Sequence, residues 1–243
     1  MAGQPDAAEA IRAAVRTIRA TFVPDPRIAV FEARILGDER PDVTVETTLP
    51  EAGLAFARLL EDEGLDADLH LRLLPDPLLQ PRGEALVRAA VAPVYRRPTV
   101  HSTLLSQYPL GHRLTLLGER GRFWRVRGED GHIGWVHFGY LLRGELEWAL
   151  GWERAEGRDP LVSLGAELED EDGVFARLPW GARVLQETPG RVVLPDGRSG
   201  RVASGELIAA DRLRDRFPPR GESVVRTARR WLGVPYLWGG VTG

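Results

Sequence analysis

Cysteine is absent from all 243 residues. That single absence removes disulfides, thiolate metal sites and any thiol nucleophile. Lysine and asparagine are missing too, so all 32 basic residues are arginine. An arginine-only cation set favours forked carboxylate pairs over mobile point charges, and a GC-rich coding sequence accounts for the same bias. Against 35 acidic residues the net charge is −3, which speaks against nucleic acid or an anionic membrane as partner. No apolar run approaches the length of a membrane span. The stretch Met1 to Ala10 carries neither a basic n-region nor an apolar h-region. No secretory signal is therefore read, and the expected location is cytoplasmic. His-Glu-x-x-His, Gly-x-Ser-x-Gly and phosphate-loop patterns are all missing, and neither a metal nor a cofactor is expected.

What is present suits folded domains. At 43% hydrophobic and 28% charged residues, this length supports one to three cores. Over residues 1–86, Ile11, Val15, Ile18 and Phe22 recur at helical spacing and predict an amphipathic helix ending before Pro24. Residues 27–36 read as a strand with Ala29, Phe31, Ala33 and Ile35 on one face, and Val43, Val45 and Thr47 continue the two-residue period. Thr48-Leu49-Pro50-Glu51 predicts a capping box opening a helix that Gly64 stops. Leu69, Leu71 and Leu73 then mark a third strand, with His70 on its solvent side. The expected fold is a small α+β sandwich, with residues 78–86 as a linker.

Residues 87–145 show short apolar runs separated by Gly-containing turns, the pattern of a small β-barrel. Alternation in Phe123-Trp124-Arg125-Val126-Arg127 predicts Trp124 and Val126 inside, with Trp124 and Trp135 as core residues. Self-comparison reveals a second copy at 146–212. Gly111-His-Arg-Leu-Thr-Leu matches Gly181-Ala-Arg-Val-Leu-Gln, and the stretch 122–136 matches 191–202. Leu141-Leu142 and Leu207-Ile208 close the copies. His101 and His112 read as surface polar groups. His132 and His137, five apart, would face opposite ways on one strand and so share no metal. Pro218 and Pro219 mark a linker at 212–220.

The last stretch, 213–243, reads as a helix with Val224, Val225, Ala228, Trp231 and Leu232 on one face, Ser223 as cap and Gly233-x-Pro235 as stop. It leads into Pro235-Tyr236-Leu237-Trp238-Gly239-Gly240. This motif resembles the opening of the NlpC/P60 cysteine peptidases, where Pro-Tyr-x-Trp-Gly-Gly precedes Asp-Cys-Ser-Gly. The sequence stops at Gly243, before that cysteine. Gly121-x-x-Trp124-x-Val126 followed by Asp130-Gly131-His132-Ile133-Gly134-Trp135-Val136 resembles a bacterial SH3 (SH3b) domain. Two SH3b-like repeats before an NlpC/P60 start resemble the γ-D-glutamyl-L-diamino acid endopeptidases of cell-wall peptide recycling.

The resemblance implies a multidomain α+β and β fold: a sandwich (1–86), two SH3b-like barrels (87–145 and 146–212) and the truncated start of a papain-like catalytic domain (213–243). It implies a non-catalytic, substrate-gating role toward peptides such as L-Ala-γ-D-Glu-diamino acid. In the family an acidic residue early in the first barrel and a Tyr in the Asp-Gly-Tyr-x-Gly-Trp motif bind the substrate amine. Thr103 and His132 stand at those positions here, and Tyr236 matches the motif tyrosine beside the catalytic cysteine. Catalytic residues are not assigned, because no thiol exists to be activated. The other reading is a stand-alone SH3b module that binds peptidoglycan peptides or a partner protein.

Overall fold

The computed structural model describes residues 7–37 and 40–242. Residues 1–6, within the stretch read as lacking a secretory signal, lie outside that set, as do 38, 39 and Gly243. The chain forms two compact units. One holds residues up to Gln80 with Gly131–Ile133; the other holds Pro81–Asp130 and the residues from Gly134 onward. No described helix is long and apolar enough to cross a membrane.

The first unit runs α1 (Ala7–Phe22), β1 (Phe31–Leu36), β2 (Asp42–Thr47), α2 (Pro50–Asp62) and β3 (Asp68–Leu73). Strand β1 pairs antiparallel with β2, and β2 pairs parallel with β3 through the α2 crossover. Both helices bury their apolar stripe against one sheet face, in a core of Ile11, Val15, Ile18, Phe31, Val43, Val45, Phe56 and Leu60. Phe31 and Phe56 meet edge to face at 5.6 Å. The expected capping box does not form. Leu49 is the N-cap and contributes no side-chain bond. Thr48 Oγ1 instead accepts from the Val30 N–H at 2.9 Å, and Thr47 Oγ1 accepts from Leu49 N–H while donating to the Val30 carbonyl. Both hydroxyls tie the helix start to the segment before β1, and Pro50 at N1 has no amide needing a cap.

The second unit opens with β4 (Glu84–Val87), β5 (Val91–Tyr95), β6 (Leu104–Pro109), β7 (Arg113–Arg120), β8 (Phe123–Gly128), β9 (Ile133–His137) and β10 (Leu141–Gly144). Their sheet order is β10-β4-β7-β8-β9-β5-β6. The expected linker at 78–86 is shorter than its composition indicates. Pro77–Leu79 is a 3-10 turn capped by Asp76, and Glu84 to Leu86 already lie in β4 between β10 and β7. Glu84 is tolerated there because Arg113 and Thr115 bond its carboxylate at 3.0 and 3.2 Å. The alternation in β8 is also corrected. Phe123, Arg125 and Val126 are buried, whereas Trp124 is only half-buried, with the Arg143 guanidinium over its ring. Trp135 is buried, with Arg120 and Arg125 stacked on it.

A helix, α3 (Leu146–Arg154), leads to β11 (Pro160–Asp170), β12 (Gly173–Leu178), β13 (Arg183–Thr188), β14 (Arg191–Val193) and β15 (Ser199–Ala209). Pairing of β11 with both β13 and β15, joined through β14, closes these four strands into a ring, and β12 extends from the other half of β11. Leu207 and Ile208, near the end of β15, pair with Ser163 and Val162 of β11. The two copies share their turns: Gly111 and Gly181 both adopt left-handed backbone, at φ 82° and 86°, two residues before β7 and β13. The last segments are α4 (Leu213–Arg216), α5 (Gly221–Ala228) and a 3-10 turn at Arg229–Trp231. Ser223 does not cap α5. The helix starts earlier, with Arg220 as N-cap, and the Ser223 carbonyl accepts from Thr227 Oγ1.

Candidate functional site

Strand β6 is the outer strand of its sheet, paired on one side only, by β5. An unpaired edge offers backbone groups to whatever lies beside it. Here that neighbour is the chain's own terminal loop. Gly239, at φ 74°, lies so close that a Cβ would stand 3.0 Å from the Leu105 carbonyl carbon and 3.2 Å from the Leu104 oxygen. Two constraints, the left-handed backbone and the close approach, call for glycine at this point. Two residues on, the Val241 N–H donates to Gln107 Oε1 at 3.2 Å. The loop turns on itself through Gly240 N–H to the Leu237 carbonyl at 3.0 Å.

Upstream, Trp231 meets Trp180 edge to face at 5.5 Å, and Trp180 meets Phe217 at 5.6 Å. This aromatic contact holds the end of the helical segment against the second sheet. The rest of the apolar face is open: Val224, Val225, Leu232, Leu237 and Trp238 are all exposed. Tyr236 is 84% exposed. With Trp231, Pro235, Leu237 and Thr242 it lines a hollow of about 320 Å³.

Thr103 is exposed and immediately precedes β6, and its carbonyl accepts from Arg96 N–H at 3.0 Å. The Tyr236 loop therefore lies along the strand that follows Thr103. His132 is half-buried and falls in the Gly131–Ile133 stretch grouped with the first unit. His70 and His101 are exposed. His137 caps the Phe138–Tyr140 turn and stacks on Phe138 at 4.7 Å.

Sequence reasoning missed a polar junction inside the second unit. Tyr108 is buried, and its hydroxyl donates to Asp130 Oδ1 at 2.5 Å. Burial, and then that bond, pushes the phenol above its ordinary value. Beside it, Glu129 takes both arms of Arg183 at 2.6 and 2.8 Å. Burial alone would raise the Glu129 carboxyl, but Arg183 holds it below its ordinary range. His112 is not a surface group: its Nε2 donates to the Gly181 carbonyl at 3.0 Å. Burial, and then the Arg183 charge, pushes its imidazole below the ordinary value, so it is neutral at pH 7. The one sequence signal was position, since His112 follows the repeated turn glycine. Among the described residues no group of three or more His, Asp or Glu is arranged to hold a metal.

No family profile matches the sequence, and no curated protein matches it. Solved structures do. The structural neighbours are NlpC/P60 family proteins. One is an NlpC/P60 family protein from Bacillus cereus ATCC 10987, at TM-score 0.51 and 18% identity, covering 65% of this chain and 67% of that one. At that identity the likeness is one of fold. NlpC2 from Trichomonas vaginalis aligns at TM-score 0.22 and 14% identity, over 64% of this chain and 58% of its own. The NlpC1 protein of the same organism aligns at TM-score 0.23 and 14% identity, over 51% of this chain and 45% of its own. The chain thus spans about half the length of these two, and alignments so loose carry no argument.

Proposed function

We propose that this chain is the non-catalytic, substrate-gating part of an NlpC/P60 cysteine endopeptidase acting on γ-D-Glu-L-diamino acid peptides of the cell wall. In this reading the two sheets of the second unit are SH3b-like barrels, and residues 213–243 open the catalytic domain. The observation that carries it is the seating of Gly239 on the β6 backbone. That contact sets the Pro235–Gly240 loop, which in the family leads to the nucleophile, along the strand that follows Thr103. The open apolar face of Val224, Val225 and Leu232 supports the same reading, because such a face is ordinarily covered by a folded body.

Chemistry sets the limit. Amide cleavage in this family requires a thiolate activated by a histidine, and the sequence has no thiol. The chain's share is therefore recognition: the Tyr236 and Thr103 hydroxyls accept hydrogen bonds from the amine end of the substrate, and His132 holds the position of the family's motif tyrosine. Calorimetric titration with L-Ala-γ-D-Glu-diaminopimelate tests this. The expected result is weak, saturable binding without hydrolysis, lost in Tyr236→Ala. Cleavage insensitive to a thiol-directed inhibitor would overturn the proposal. Binding that survives in both Tyr236→Ala and Thr103→Ala would favour the stand-alone module instead.

A further inference from the structure

The ring of the second sheet carries a feature that neither the terminal loop nor the β6 edge uses. The pairing of β11 with β15 slips twice, between Ser163 and Ala166 and again between Glu167 and Leu168. The first slip adds a residue to β11 and the second adds one to β15, so the register is offset only between them. The effect is visible in burial. Ser163 faces inward, then Ala166 and Leu168 do, and the change of parity sends Glu167 outward. There it is opposite Arg177 on β12 and Ser204 on β15. Arg177 Nε bonds Glu167 Oε1 at 3.1 Å, and Ser204 Oγ donates to Glu167 Oε2 at 3.0 Å. Three adjacent strands thus present a row of guanidinium, carboxylate and hydroxyl on the outside of the ring.

This row borders a hollow of about 660 Å³ whose other lining includes Trp180, Trp231 and Leu164. The volume is that of a small-molecule site, and the combination of apolar wall and convergent polar groups is typical of one. The chemistry of the lining narrows the ligand. Glu167 and Arg177 form a surface pair, Arg177 being 85% exposed, so the row presents no net charge and offers a charged ligand little gain in water. A purely apolar ligand would leave the row's remaining donors and acceptors unpaired. The occupant that suits both surfaces is neutral, apolar on a flat face and rich in hydroxyls at its edge. A pyranose ring has these properties: its C–H face packs on an indole, while its hydroxyls both donate to a carboxylate and accept from a guanidinium.

We propose that the hollow bounded by Trp180, Trp231 and the Arg177–Glu167–Ser204 row binds a saccharide unit. Trp231 lines this hollow and the Tyr236 hollow alike, but Glu167 and Ser204 line only the first and Tyr236 only the second, so variants at those positions separate the two roles. The test is calorimetry on the full chain with chitotriose and with cellotriose, one carrying N-acetyl groups and one not. Saturable binding of either trimer supports the proposal, and their ratio tells whether the acetamido group is read. Glu167→Gln and Ser204→Ala, on exposed or half-exposed positions that leave the core intact, should each weaken binding about ten-fold. Trp180→Ala should abolish it, with the fold checked by circular dichroism. Tyr236→Ala should leave it unchanged. The proposal is overturned by absence of saturable binding to both trimers, by undiminished affinity in Glu167→Gln, or by peptide binding that Glu167→Gln removes while neither trimer binds.

Discussion

Tyr108 shows how much one hydroxyl can organise. It is buried, it bonds Asp130, and Gly128 exists to admit it, since a Cβ there would overlap the phenol oxygen. Tyr108→Phe should cost about 1.5–3 kcal/mol, the range for a hydrogen bond to a charged group, measured by urea unfolding. The phenol's raised value in the folded state makes its contribution complete below the ordinary tyrosine value of about pH 10 and lost as pH rises beyond it. Tyr108→Phe should therefore flatten the alkaline limb of the stability curve; an unchanged limb would mean the phenol is not protected. Trp124 on β8 and Trp135 on β9 separate the same way. Trp135 is 5% exposed, so Trp135→Ala should cost about 3–5 kcal/mol. Trp124 is half-buried, and Trp124→Ala should cost about 1–2 kcal/mol. Equal costs would contradict the β8 burial seen here.

At the scale of elements, α5 is the weak one. It spans only Gly221–Ala228, too short to hold by itself, and its Val224 and Val225 face water. What holds it is the contact just beyond its end, Trp231 on Trp180. Hydrogen exchange should show α5 amides opening far more readily than those of β7 and β8. Trp231→Ala should remove the remaining protection in α5 while leaving the sheets unchanged. Protection of α5 equal to that of β7 would show a partner for its apolar face that the present contacts do not include. The helix was legible from its spacing, but its start was not. Ser223 resembles a cap in sequence, yet the chain bends after Pro218 and enters the helix three residues earlier than a Ser223 cap would allow, with Arg220 as N-cap.

On the scale of the whole chain, each unit has its own core, and within the second unit the two sheets meet turn to turn. The Arg183 N–H donates to the Leu110 carbonyl, His112 donates to Gly181, Trp152 Nε1 donates to the Gly111 carbonyl, and Glu129 pairs with Arg183. A Cβ on Gly111 would overlap the Arg183 carbonyl, so the approach depends on glycine. Acid should loosen this junction in two steps. Because His112 is lowered in the folded state, its contribution is full above about pH 6.5 and lost as pH falls toward its folded value. Glu129, also lowered, contributes above about pH 4.3 and is lost below it. His112→Gln keeps a donor for Gly181 and should erase only the first step in a pH series of thermal unfolding. Retention of that step would place the titrating group elsewhere.

The sequence by itself determined the local order of elements, because hydrophobic period and turn glycines act within a few residues. The helix-strand-strand-helix-strand run before Gln80 and the repeated turns at Gly111 and Gly181 were readable that way, whereas α5 ends at Ala228, well before the expected stop at Gly233. It also determined that no thiol chemistry resides here. Only the tertiary structure decided what those elements touch. Thr47 and Thr48 bind Val30 rather than a helix end, His112 is drawn into a junction, and Gly239 lies on the β6 backbone. Gly165 and Gly205, both in left-handed backbone, are the local trace of the first bulge, but the register that turns Glu167 outward is defined only by the strand opposite. Such contacts join positions far apart in the chain, where composition and periodicity carry no information about which groups will meet.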